Sequence, residues 1–71
     1  MRVVSAKLRV AAKLSMVPLY RVAIEAGVAP GTAYKWVRGI QAVDSSDPRF
    51  LALAERLGVP LAEAIEEDNQ E

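Results

Sequence analysis

The sequence predicts an all-α fold: five short helices in one compact domain. Three observations carry that expectation. Apolar residues recur at three- and four-residue spacing through most of the 71-residue chain. Glycine and proline fall between those stretches rather than inside them. No segment reads as a strand. One domain is all that this length allows, and so short a chain buries only about 60% of its unfolded surface.

The first helix is expected to start at an N-cap, Ser5, and to run to about Leu14. Val4, Leu8, Ala11 and Ala12 form its inner stripe, and Arg9 and Lys13 stand one turn apart on the other side. The second begins at Pro18 or Leu19 and ends at Ala26, with Gly27 as its stop. The third begins near Pro30 and ends before Gly39. Residues 39 to 46 form a loop with the polar run Asp44-Ser45-Ser46. The fourth is capped by Asp47, takes Pro48 in its first turn, and turns Phe50, Leu51, Ala54 and Leu57 inward before Gly58. The fifth covers about Pro60 to Glu66, with Leu61, Ala64 and Ile65 inward. Glu67 to Glu71 are expected to be a frayed acidic tail, because negative charge opposes the macrodipole at a helix C-terminus. The domain is therefore drawn over 1–66 and the tail over 67–71.

The second and third helices with their glycine turn read as a helix-turn-helix. Ala23 sits where the two axes approach closest and needs a small side chain. Gly27 suits the left-handed backbone of the turn. Val22, Ala26, Val28, Ala33 and Trp36 fall at inward positions, and Pro18 and Pro30 lie in first turns, where proline is tolerated.

Composition narrows the chemistry. The chain is 52% apolar and 25% charged, with neither cysteine nor histidine. Disulfides, thiol nucleophiles, imidazole bases and the usual zinc sites are thereby excluded, and a reducing cytosol is expected. An enzyme is not expected, nor a metal or any other cofactor. Lys7, Arg9 and Lys13 interrupt any signal-peptide core, and no apolar run approaches the roughly 20 residues of a membrane span. The net charge of zero conceals a strong division. Residues 1–38 carry seven cations against the single acid Glu25, a balance of +6, and residues 39–71 carry −6. The basic half holds the helix-turn-helix and would attract a polyanion.

The plan as a whole resembles the lambda-repressor-like family, also called the Cro/C1 or XRE type. The resemblance covers residues 5 to 66. It rests on Leu8-Arg9, on Val22-Ala23-x-x-x-Gly27-Val28, on Trp36-x-x-Gly39, and on Leu51-x-x-Ala54-x-x-Leu57-Gly58-Val59 followed by Leu61-x-x-x-Ile65. This chain departs from the family pattern at Leu19, where glutamine is common, at Ala29, where serine or threonine caps the third helix, and at Val37, where glutamate is frequent. The resemblance implies sequence-specific binding of double-stranded DNA, as by a phage Cro or immunity repressor that occludes an operator in a bacterial or phage-infected cytoplasm.

On that reading the third helix enters the major groove. Thr32, Tyr34 and Lys35 are the candidate base contacts, since Pro30-Gly31 offers no side-chain hydrogen bond. Arg38, Gly31, Arg21, Arg9 and Lys13 are the candidate DNA-backbone contacts, Gly31 through its main chain. Trp36 is assigned to the core. A weak homodimer on DNA is expected, with Ile40 and Val43, or Leu61 and Ile65, as its candidate contact. Two other readings stand beside it. Ala33-Tyr34-Lys35-Trp36-Val37-Arg38-Gly39 somewhat resembles the helix of small recombination directionality factors, which suggests an excisionase-like or activator protein whose chain would continue into a wing of strands. The other is a protein-interaction module, an antitoxin or polymerase-binding adaptor, with the acidic half as its binding face.

Overall fold

Where each helix starts is set by a cap or a proline. The computed structural model describes residues 2–67. The elements are β1 (Arg2–Val4), α1 (Ala6–Leu14), α2 (Leu19–Glu25), α3 (Pro30–Val37), α4 (Pro48–Arg56), α5 (Leu61–Ala64) and β2 (Ile65–Glu67). Ser5 caps α1, its hydroxyl accepting from the Leu8 amide at 3.2 Å. Pro18 and Ala29 stand at the N-caps of α2 and α3 and supply no side-chain acceptor. Gly27, with φ of 79°, stands in the turn between α2 and α3, where the Val28 amide reaches back to the Ala23 carbonyl at 2.8 Å.

Asp47 makes the strongest cap. Its carboxylate accepts from the Arg49 amide at 2.9 Å and from the Arg49 guanidinium at 2.8 and 3.2 Å. The guanidinium and the backbone amides together hold the Asp47 carboxyl below its ordinary pKa of 3.8. A carboxyl lowered in the folded state stabilises the fold above its unfolded pKa, and that contribution fades as the pH falls through the folded value. Asp47→Ala should therefore cost about 1 kcal/mol at neutral pH and flatten the loss of stability below pH 3.8. Thermal midpoints measured from pH 7 down to pH 2 check both; equal slopes in parent and variant would refute the acid part.

The core lies where α1, α3 and α4 meet. Trp36, Phe50, Leu8, Leu53 and Val4 are its largest fully buried side chains. Trp36 meets Phe50 edge to face, with ring centroids 5.6 Å apart and planes at 88°. Ala23 and Ala33 are completely buried, which lets α2 pack closely on α3. Two inward positions differ from the sequence reading: Leu61, expected inward, is 39% exposed at the start of α5, and α4 turns Phe50, Leu53 and Ala54 inward, while Leu51 is only half-buried. The true stripe is 50, 53, 54 and 57, the three- and four-residue spacing of one helix face, and Leu51 stands about 100° off Phe50 around the axis.

The larger difference is a two-stranded sheet. β1 pairs antiparallel with β2, with Arg2 opposite Glu67, Val3 opposite Glu66 and Val4 opposite Ile65. The fifth helix therefore stops at Ala64 rather than Glu66, and Ile65 is extended, with φ of −124° and ψ of 140°. A β-branched residue followed by two glutamates makes a poor last turn, and Ile65 instead lies against Val4. Ser5 locks this join. Its amide donates to the Ala64 carbonyl at 2.9 Å and its hydroxyl to the Glu63 carbonyl at 2.6 Å, while Lys7 pairs with the Glu63 carboxylate at 2.6 Å. Of the tail expected over 67–71, Glu67 belongs to β2 and residues 68–71 lie outside the described residues. Over the described residues the protein is thus a mostly helical small globule of five helices with one short sheet. Among the described residues no helix is long and apolar enough to cross a membrane.

Candidate nucleic-acid interface

The outer face of α3 follows from what its inner face buries. Ala33 and Trp36 point into the core. At 3.6 residues per turn, Gly31, Lys35 and Arg38 then share the opposite stripe, and all three are exposed. Tyr34 flanks the stripe on the side of α1 and is 44% exposed. Thr32 falls on the other flank and is half-buried. Four of the five candidates on this helix thus share one accessible surface, and Thr32 stands at its margin. Beyond its chain neighbours and the α3 backbone, nothing among the described residues lies within 4 Å of where a Cβ on Gly31 would stand, so the main chain there is open to a close neighbour.

Between α1 and α3 runs a groove of about 530 Å³. Arg9 and Lys13 line it from α1, with Val10 and Ala12; Tyr34, Val37 and Arg38 line it from α3, and Leu19 closes it from the start of α2. The fold thus brings together four candidate residues that are widely separated in sequence. No local pattern signals this, because it depends on how α1 crosses α3.

The cations divide into free and occupied. Among the described residues, no carboxylate lies within 4.0 Å of Lys13, Lys35 or Arg38. Arg9 is tethered: its Nη2 donates to the Val4 carbonyl at 3.3 Å and lies 3.9 Å from the Glu66 carboxylate. Arg21 stands outside the groove on α2, 3.8 Å from Glu25, whose carboxylate also holds Arg56 at 3.1 Å. Free ammonium and guanidinium groups on an exposed helix face attract phosphate without first breaking an internal pair, so the unpaired set of Lys13, Lys35 and Arg38 is the better anion surface.

The sequence predicts Ile40 and Val43, or Leu61 and Ile65, as dimer contacts. Val43 is buried and Ile65 half-buried, which leaves only Ile40 and Leu61 of these available at the surface. Apolar side chains that were not singled out are also exposed: Leu14, Met16, Tyr20 and Ile24. Among the described residues, no group of three or more metal-ligating side chains is positioned to hold an ion. No family model matches the chain, and comparison with the curated proteins and with the solved structures returned no match.

Proposed function

We propose that this protein binds double-stranded DNA sequence-specifically, as a lambda-repressor-like helix-turn-helix protein, and represses transcription by occluding an operator. One observation carries the reading: the exposed stripe of α3 and its flank present Tyr34, Lys35 and Arg38, with no carboxylate paired to either cation among the described residues. In this arrangement α3 enters the major groove. Lys35 donates to guanine O6 and N7, and Tyr34 packs against a sugar or a thymine methyl. Arg38 and Lys13 clamp phosphates on either side. The binding unit requires no cofactor and no catalytic group.

The helical α4 supports a repressor over an excisionase-like protein, because it occupies the stretch where a wing of strands would follow the reading helix. The contrasting charges of the two halves keep an interaction module as the second reading. Selection of bound duplexes from a random library, followed by titration of the winners at two salt concentrations, separates them. Each neutralised phosphate contributes about −0.9 to the slope of log affinity against log salt. With Lys13 and Arg38 engaged, affinity should fall about tenfold between 50 and 200 mM salt. A palindrome with half-sites roughly 34 Å apart would identify a dimer on DNA. No enrichment, with negligible low-salt binding, would reject the proposal in favour of the interaction module.

A further inference from the structure

We propose that the groove between α1 and α3 binds an organic anion with a compact apolar body, an aromatic or branched carboxylate, and that its occupancy competes with duplex DNA. The competition rests on the DNA reading above; the binding does not.

A phosphate strand needs cations but no apolar floor, and this groove has one. Val10, Ala12, Leu19 and Val37 line it, and Val10 is 52% exposed. Ala12, Leu19 and Val37 are half-buried, so Val10 is the openly exposed part of that lining. Lys13 and Arg38 line it without a carboxylate within 4.0 Å among the described residues, Tyr34 stands beside them, and Arg9 also lines it but lies 3.9 Å from the Glu66 carboxylate. Such a rim attracts a negative charge and leaves a positive ligand without a partner. A volume of about 530 Å³ suits a small molecule rather than a folded domain. Arg9 is already held from behind by the Val4 carbonyl, so less of its side-chain freedom is lost on binding. Tyr34 and Arg38 line the groove and also belong to the proposed DNA face, so a ligand held by them withdraws two contacts from the duplex.

The test uses the isotope-labelled full chain, followed by two-dimensional amide NMR during titration with a naphthalene carboxylate. Saturable shifts are expected at Ala12, Lys13, Val37 and Arg38. The uncharged naphthalene methanol should bind at least about fivefold more weakly, because it lacks the charge that the rim selects. Ala12→Leu, which fills the floor, and Val10→Ser, which makes an exposed wall polar, should each weaken binding, with thermal midpoints confirming that the variants fold. Equal binding of the alcohol, shifts scattered over the surface, no saturation, or two folded variants that bind like the parent would each overturn the site. Duplex affinity measured with and without the saturating carboxylate tests competition; an unchanged affinity would refute it. A parent chain that binds no duplex but saturates with the carboxylate would sink the DNA reading and leave the groove site standing.

Discussion

Trp36→Ala should remove a large share of the stability of the fold. Trp36 is 2% exposed, packs edge to face on Phe50, and carries the Arg49 guanidinium 5.7 Å from its ring centroid. Removing a buried tryptophan side chain costs about 3–5 kcal/mol. A domain of this size has in total about 4–11 kcal/mol to lose. The cavity would open between α3 and α4, with few neighbours available to collapse into it. Trp36→Phe is the control. It keeps most of the ring contact and removes the indole Nε1, which is buried without a hydrogen-bond partner among the described residues, so it should cost much less. Because the chain has a single tryptophan, unfolding must be followed by circular dichroism. Loss of less than about 1 kcal/mol in the alanine variant would contradict the core described here.

Lys35→Ala and Arg38→Ala should weaken DNA binding in different ways, and the difference tests the placement of α3. Lys35 lies in the last turn of α3, on the exposed stripe one turn beyond Gly31, and in the proposed docking its long side chain reaches the base edges. Its loss should cost about 1–3 kcal/mol and relax selection at one base position. Arg38 follows the last turn of α3 and lines the groove toward α1, where a strand of phosphates would run. Its loss should weaken all duplexes about equally and reduce the salt slope by about one. The two effects are measured by repeating the library selection with Lys35→Ala and the salt titration with Arg38→Ala. If both variants bind every duplex as the parent does, α3 does not face the DNA.

The helical part of this fold was legible because helix signals are local. Ser5 and Asp47 are caps, Gly27 has to turn left-handed, and Trp36 falls at an inward spacing; each can be read from a few neighbouring residues. The β1–β2 pair was not legible. Three-residue strands are shorter than any alternation that could reveal them, and each depends on a partner at the far side of the sequence. Ser5 illustrates the limit: its role as a cap is visible beforehand, but its hydrogen bonds to Glu63 and Ala64 are not. The candidate site divides in the same way. Lys35 and Arg38 follow from the periodicity of α3, whereas the meeting of Lys13 with Tyr34 across the groove is tertiary.

The Ser5 join has a kinetic meaning. Ser5 and Glu63 are 58 residues apart in sequence, so their contact closes a loop of most of the chain. The entropy of that closure is lost before the contact returns anything, which favours forming the local α2–α3 unit first and zipping the sheet afterwards. A contact made after the rate-limiting barrier acts only on escape from the native state. Ser5→Ala should then accelerate unfolding and leave the refolding rate almost unchanged, as the two arms of a denaturant chevron would record. Slower refolding would instead put the α1 cap or the sheet join in the nucleus. On the first outcome, this small clasp governs how long each folded molecule lasts rather than how quickly it forms.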